Sequence, residues 1–161
     1  MAKGLTGGVI PMGGVAMRNG IFDSFMTGSE DAIEFAHGYT YSGHPVAASA
    51  GLATLAVYAE EGLFDRAKVL ESVMEEAVHS LKGLPHVIDI RNIGLIGAVE
   101  LEPIPGMNTK RGMMAFRQCF DADVLVRSTG DTIAVAPPLI VSETEIEKIF
   151  DTLRKVLIAL D

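Results

Sequence analysis

Nine of the 17 glycines fall within the first 45 residues, and no long 3.6-residue periodicity runs through that stretch. Glycine weakens helix and strand interiors alike, so residues 1–45 read as glycine-bent strand and loop, with "GGVAMRN" as a strand-like patch, more site wall than core. The pattern changes at Pro45, which suits a first helical position, and Gly62 can end the segment that follows. From there Leu63, Ala67, Leu70, Met74, Ala77, Val78 and Leu81 recur on one helical face, while Glu71, Glu75, Glu76 and Lys82 fall on the other. Two consecutive helices, or one kinked at Gly62, are expected. Beyond Pro85 the chain alternates in "HVIDIRN" and "GLIGAVELE", turns helical in "KRGMMAFRQCF", and gives two short strands in "DVLVRS" and "TIAVAP". A last amphipathic helix starts at Ser142, whose hydroxyl can cap the Glu145 amide while Glu145 reaches back. The fold class is therefore α/β, its C-terminal part a small layer of helices on one face of a mainly antiparallel sheet.

With 48% hydrophobic residues and a mean hydropathy of +0.31 over 161 residues, some apolar surface is expected to meet another chain or segment. The uncharged run "PVAASAGLATLAVYA" is shorter than the roughly 20 residues of a membrane span. No secretion-signal pattern opens the chain, and Cys119 has no second cysteine to pair with, so a reducing, cytoplasmic setting is expected. Thirteen Lys and Arg against 21 Asp and Glu give a net charge of −8, with no basic stripe and no Trp. That balance disfavours nucleic acid, and no membrane contact is expected either.

Two stretches carry candidate chemistry. In "HGYTYSGHPVAASAG", Tyr39, Thr40, Tyr41 and Ser42 lie between Gly38 and Gly43 just ahead of a helix start, the kind of turn that brings amides and hydroxyls to an anion. In "MAKGLTGG", Lys3 sits among Ala2, Gly4, Gly7 and Gly8, small neighbours that let backbone approach closely. Weaker signals have plainer readings. His37 and His44, seven apart without carboxylates at ligand spacing, do not suggest a metal site. The eight methionines read as gap-filling core, Cys119 as an inert thiol in an apolar helix, and "GLTGG" lacks the ending of a nucleotide-binding loop.

Taken with "VLVRSTGDTIAVAPPLI" and "DIRNIGLIGAVEL", these stretches resemble, in order and spacing over nearly the whole chain, the second half of class III aminotransferases, the pyridoxal-phosphate enzymes of fold type I. Within that family the chain is most similar to the omega-amino-acid:pyruvate and beta-alanine:pyruvate group. The resemblance implies that residues 1–50 end a large cofactor-binding domain, 51–83 are connecting helices, and 84–161 form the small domain. It makes Lys3 the catalytic lysine that carries pyridoxal phosphate, with Thr40 and Tyr39 as further cofactor-binding residues. Arg127 becomes the group that recognises the substrate carboxylate, by a planar fork that lysine lacks. Also implied is a homodimer in which Thr40 reaches into the partner's site. The reaction implied moves an amino group from an omega-amino acid or primary amine, beta-alanine for example, to a keto acid such as pyruvate. An aminomutase, a decarboxylase or a non-catalytic interaction module are the alternatives. The family's phosphate cup, ring-stacking aromatic and pyridine-nitrogen acid would precede Lys3, so the chain is expected to be the C-terminal part of a longer protein and inactive by itself.

Overall fold

The computed structural model describes residues 1–160 apart from 30, 32–34 and 36. The chain divides into two compact units, Met1–Glu61 and Gly62–Asp161.

The second unit is built on a four-stranded sheet: β1 (Val87–Ile93), β2 (Ile96–Leu101), β3 (Arg127–Thr129) and β4 (Thr132–Val135), in the order β1-β2-β4-β3. Every neighbouring pair is antiparallel. Alternation on β2 turns Gly97, Val99 and Leu101 inward and leaves Ile96 exposed. Three helices cover that inner face: α3 (Leu63–His79), α4 (Lys110–Asp121) and α5 (Glu143–Ala159). At Gly97 a β-carbon would stand 3.1 Å from both Met74 Cε and Val78 Cγ2, so α3 lies directly on β2. The α3 face expected from the sequence is the buried one: Leu63, Leu70, Met74 and Val78 are buried, and Ala67 and Ala77 pack against the core they join. Gly62, at φ 60° and ψ 33°, separates α3 from the helix before it, so two helices form rather than one kinked rod.

The capping box at the start of α5 is present in full. Glu145 N donates to Ser142 Oγ at 3.3 Å, and Ser142 N donates to Glu145 Oε2 at 2.7 Å. The bond from Ser142 N, with one from Ser142 Oγ to the same Glu145 oxygen at 2.8 Å, favours the ionised carboxylate and holds Glu145 below the usual range. Ile146, Phe150, Leu153 and Leu157 then fall on the core side of α5.

Cys119 is fully buried on α4, and burial pushes its thiol up to about 11. A thiol reagent at pH 8 is therefore expected to label the native chain at no more than a few per cent of the rate seen in denaturant. Comparable rates in both conditions would show that α4 opens readily.

The first unit is different in kind. It holds a 3-10 turn (Lys3–Thr6), a short α1 (Asn19–Asp23) and α2 (Pro45–Glu60), with Pro45 in the first turn as expected. Among its described residues only Thr6, Ala47 and Gly51 are buried. On α2, Val46, Leu52, Leu55 and Val57 are exposed, so the helix is apolar beyond the face it packs. The strand expected at "GGVAMRN" does not form. Gly13 makes a single bridge to Ala2, no ladder follows among the described residues, and α1 begins at Asn19. An extended segment with one bridged pair lacks the row of bonds that would hold a strand. The methionines also depart from expectation. Met74 is fully buried, whereas Met1, Met17, Met26, Met107 and Met113 are exposed.

Candidate functional site

Lys3 begins the 3-10 turn at φ 56°, in the left-handed region that a residue with a β-carbon enters at a cost of roughly 1–2 kcal/mol. Its backbone is anchored on several sides. Tyr58 Oη, on α2, donates to Gly4 O at 2.6 Å, and Thr6 Oγ1 donates to Ile10 O at 2.7 Å. The terminal amine of Met1 donates to Gly14 O at 2.7 Å, and Gly14 N returns a bond to Met1 O at 2.9 Å. A β-carbon at Gly4 would sit 3.2 Å from Tyr58 Oη, so the tyrosine would have to give by a few tenths of an ångström. The Lys3 side chain itself is exposed, and its amine has no hydrogen bond or ion pair among the described residues. Tyr58 escapes sequence reading because one tyrosine on an apolar helix announces nothing about a carbonyl 54 residues away.

The hydroxyl-rich turn is closed by its own bonds. Tyr39 N donates to Ser42 Oγ at 2.9 Å, Ser42 N to Tyr39 O at 2.9 Å, and His44 N to Tyr41 O at 3.2 Å. Gly43, at φ 74°, turns the chain into α2. Thr40 is exposed, as are Tyr39 and Tyr41, and the amides of Val46 and Ala47 in the first turn of α2 have no partner among the described residues. A hydroxyl and unpaired amides at a helix start are donors without acceptors, the arrangement an anion completes. An open cleft of about 810 Å³ is lined by residues that include Met12, Gly13, Gly14, His37, Tyr39 and Tyr41. Tyr39 thus lines the cleft; Lys3 and Thr40 do not.

Arg127 lies in the second unit, at the start of β3. Sheet register puts Arg91, Ala98, Ala134 and Arg127 in one cross-strand row, on the face opposite Gly97 and Val99. The two arginines differ in partners. Arg91 Nη1 donates to Asp89 and, at 2.8 Å, to Glu100, bonds that hold its guanidinium above its ordinary value. Arg127 is exposed, without such partners among the described residues, and borders an open cleft of about 640 Å³ with Ile96, Met113, Phe116 and Leu125. It is therefore the cation on this row whose fork is available to a carboxylate. The sequence singles out Arg127 but says nothing of Arg91, whose neutralisation depends on register.

The chain is similar to several aminotransferases. The chain is 50% identical, over all of its 161 residues and 37% of the relative, to an omega-aminotransferase of Caulobacter vibrioides. It is 40% identical, over 98% of its length and 36% of the relative, to a beta-alanine–pyruvate aminotransferase of Pseudomonas aeruginosa. Among solved structures, the adenosylmethionine-8-amino-7-oxononanoate aminotransferase of Methanocaldococcus jannaschii superposes with a TM-score of 0.88 at 29% identity, covering 99% of this chain and 38% of that one. A thermostable omega-transaminase of Thermomicrobium roseum gives 0.83 at 31% identity, covering 97% of this chain and 36% of that one. The chain thus spans little more than a third of the length of the relatives it matches. Since the model of the class-III aminotransferases matches residues 1–157, the chain belongs to that family.

Proposed function

We propose that the protein carrying this chain moves an amino group from an omega-amino acid or primary amine, beta-alanine for example, to a keto acid such as pyruvate. Class-III aminotransferases are pyridoxal-phosphate enzymes, and the residues present fit that group. The Thr40 hydroxyl and the unpaired Val46 and Ala47 amides are the donors a phosphate asks for, Tyr39 offers a ring beside the cleft, and the Lys3 amine is uncommitted. When bound, the cofactor would supply an electron sink for charge developing at the amine-bearing carbon. The chain's own residues supply the rest. Lys3 Nζ would hold the cofactor until the donor's amine displaces it, and the freed Lys3 amine would then take the proton from that carbon and return it one position along. Thr40 fixes the phosphate, in the partner's site if the protein dimerises as its resemblance implies. Arg127 grips the carboxylate of the donor or of the keto acid. The single buried cysteine supports a cytoplasmic setting.

The observation that carries the substrate class is the availability of Arg127 on a row where Arg91 is already neutralised. Arg127→Ala is expected to raise the KM for beta-alanine and for pyruvate at least tenfold, because a lost charge-assisted pair is worth about 1.5–3 kcal/mol and each 1.4 kcal/mol is a factor of ten. Uncharged primary amines should lose much less. Steady-state kinetics with both donor classes decides the matter: equal losses would put Arg127 in the scaffold. Carbon dioxide release from the donor, or its rearrangement without transfer to pyruvate, would turn the assignment to a decarboxylase or an aminomutase.

A further inference from the structure

We propose that Asp131 is a positioning residue for Arg127, locking the β3–β4 hairpin that carries the arginine onto the start of α4. The inference rests on the reading of Arg127 as the carboxylate-binding group.

The start of α4 lacks a cap of its own. Its N-cap residue, Thr109, stands at φ 73° and offers no side-chain bond to the helix. The missing acceptor arrives from the hairpin. Asp131 Oδ2 accepts from Thr109 N at 2.7 Å and Oδ1 accepts from Gly112 N at 2.9 Å, so one carboxylate closes two helix-terminal amides at the end of the helix where negative charge is favoured. The same residue is tied the other way by its backbone, where Leu101 N, at the end of β2, donates to Asp131 O at 2.9 Å. Asp131 therefore joins hairpin, helix and central strand at one point.

Packing at that point is as tight as glycine permits. A β-carbon on Gly112 would lie 2.3 Å from Gly130 O and 2.9 Å from both Asp131 Cα and Ser128 Oγ. The turn itself is shaped by Gly130 at φ 62°, with Ser128 Oγ donating to Gly130 O at 3.0 Å. By contrast, β3 has little else to hold it. It is a three-residue strand at the edge of the sheet, paired only with β4. Arg127 is its first residue, where an edge strand frays most easily. An anchor four residues along is what keeps the guanidinium at a fixed place for a short, charged substrate.

The test is Asp131→Asn in the enzyme that contains these residues, assayed well below its melting temperature beside Arg127→Ala. Asparagine keeps the size but loses the second acceptor oxygen and the charge. The KM for beta-alanine and pyruvate is expected to rise three- to tenfold, with kcat and KM for an uncharged primary amine within about twofold of wild type. In the double variant the penalty on charged substrates should not exceed that of Arg127→Ala alone. Hydrogen exchange gives a readout independent of turnover: the Thr109 and Gly112 amides, and those of β3, should exchange faster in Asp131→Asn. Should that variant not fold, Asp131→Ser retains a short acceptor and is read in the same way. If Arg127→Ala discriminates between charged and uncharged donors but Asp131→Asn affects both alike or neither, the positioning role is wrong. Protected Thr109 and Gly112 amides in Asp131→Asn would overturn it too. If Arg127→Ala itself fails to discriminate, it is the reading of Arg127 that falls.

Discussion

Lys3→Ala, in the enzyme containing this chain, is expected to lower amino transfer from beta-alanine to pyruvate by at least about three orders of magnitude, since acid–base transfer by a positioned side chain is worth 10² to 10⁴ and the covalent hold on the cofactor goes with it. The structure gives a reason to expect a chemical loss and not a collapse. The Lys3 amine is exposed and bonds to nothing among the described residues. The turn is held by Tyr58 on Gly4, Thr6 on Ile10, and Met1 on Gly14, none of which involves the Lys3 side chain. Alanine at φ 56° meets about the same backbone cost as lysine, because the penalty arises at the β-carbon. Melting temperature should therefore stay within a few degrees of wild type while turnover disappears. Turnover that survived the substitution would remove Lys3 from the chemistry.

How much of this was legible beforehand depends on the range over which each signal acts. The box at Ser142 and Glu145, the buried face of α3 and the break at Gly62 are set by residues within a turn of one another, and each stands where the sequence places it. The strands of the second unit likewise follow from short alternations. What escaped is non-local. Asp131 follows Gly130 in the link between β3 and β4, yet its carboxylate accepts from Thr109 N, 22 residues upstream, which no spacing rule connects to it. The availability of Arg127 depends on a row shared by four strands. "GGVAMRN" misled for the converse reason: strand propensity is local, but a strand exists only where a partner ladder does. The methionines misled because flexibility suits them to cores and to exposed apolar surfaces alike.

The exposed apolar surface leads to the second large effect. In the 161-residue chain taken by itself, backbone amides of the second unit are expected to exchange at least about 10³ times more slowly than those of residues 1–61, because domains of this kind resist opening by 5 kcal/mol or more. The contrast follows from what each unit buries. The second unit surrounds Met74, Val78, Val99, Leu101, Ile133, Ile146, Leu153 and Leu157 with three helices and a sheet, and all of these are essentially inaccessible. At roughly 1.5–3 kcal/mol for each large apolar side chain removed from water, that set offsets much of the ordering entropy of its elements. Among the described residues the first unit has no such set. There the buried ones are Thr6, Ala47 and Gly51, while Phe22, Phe25, Val46, Leu52 and Leu55 stand in water. Backbone bonds such as Gly14 N to Met1 O cannot by themselves repay the ordering of a glycine-rich loop. Hydrogen exchange read by mass spectrometry on peptides from each unit measures the difference directly. Peptides from residues 1–61 protected as well as those from α3, β2 and α5 would mean that the exposed face of α2 is already covered in solution, by a second copy of the chain. In that event the protection should fall on dilution, as α2 is returned to water.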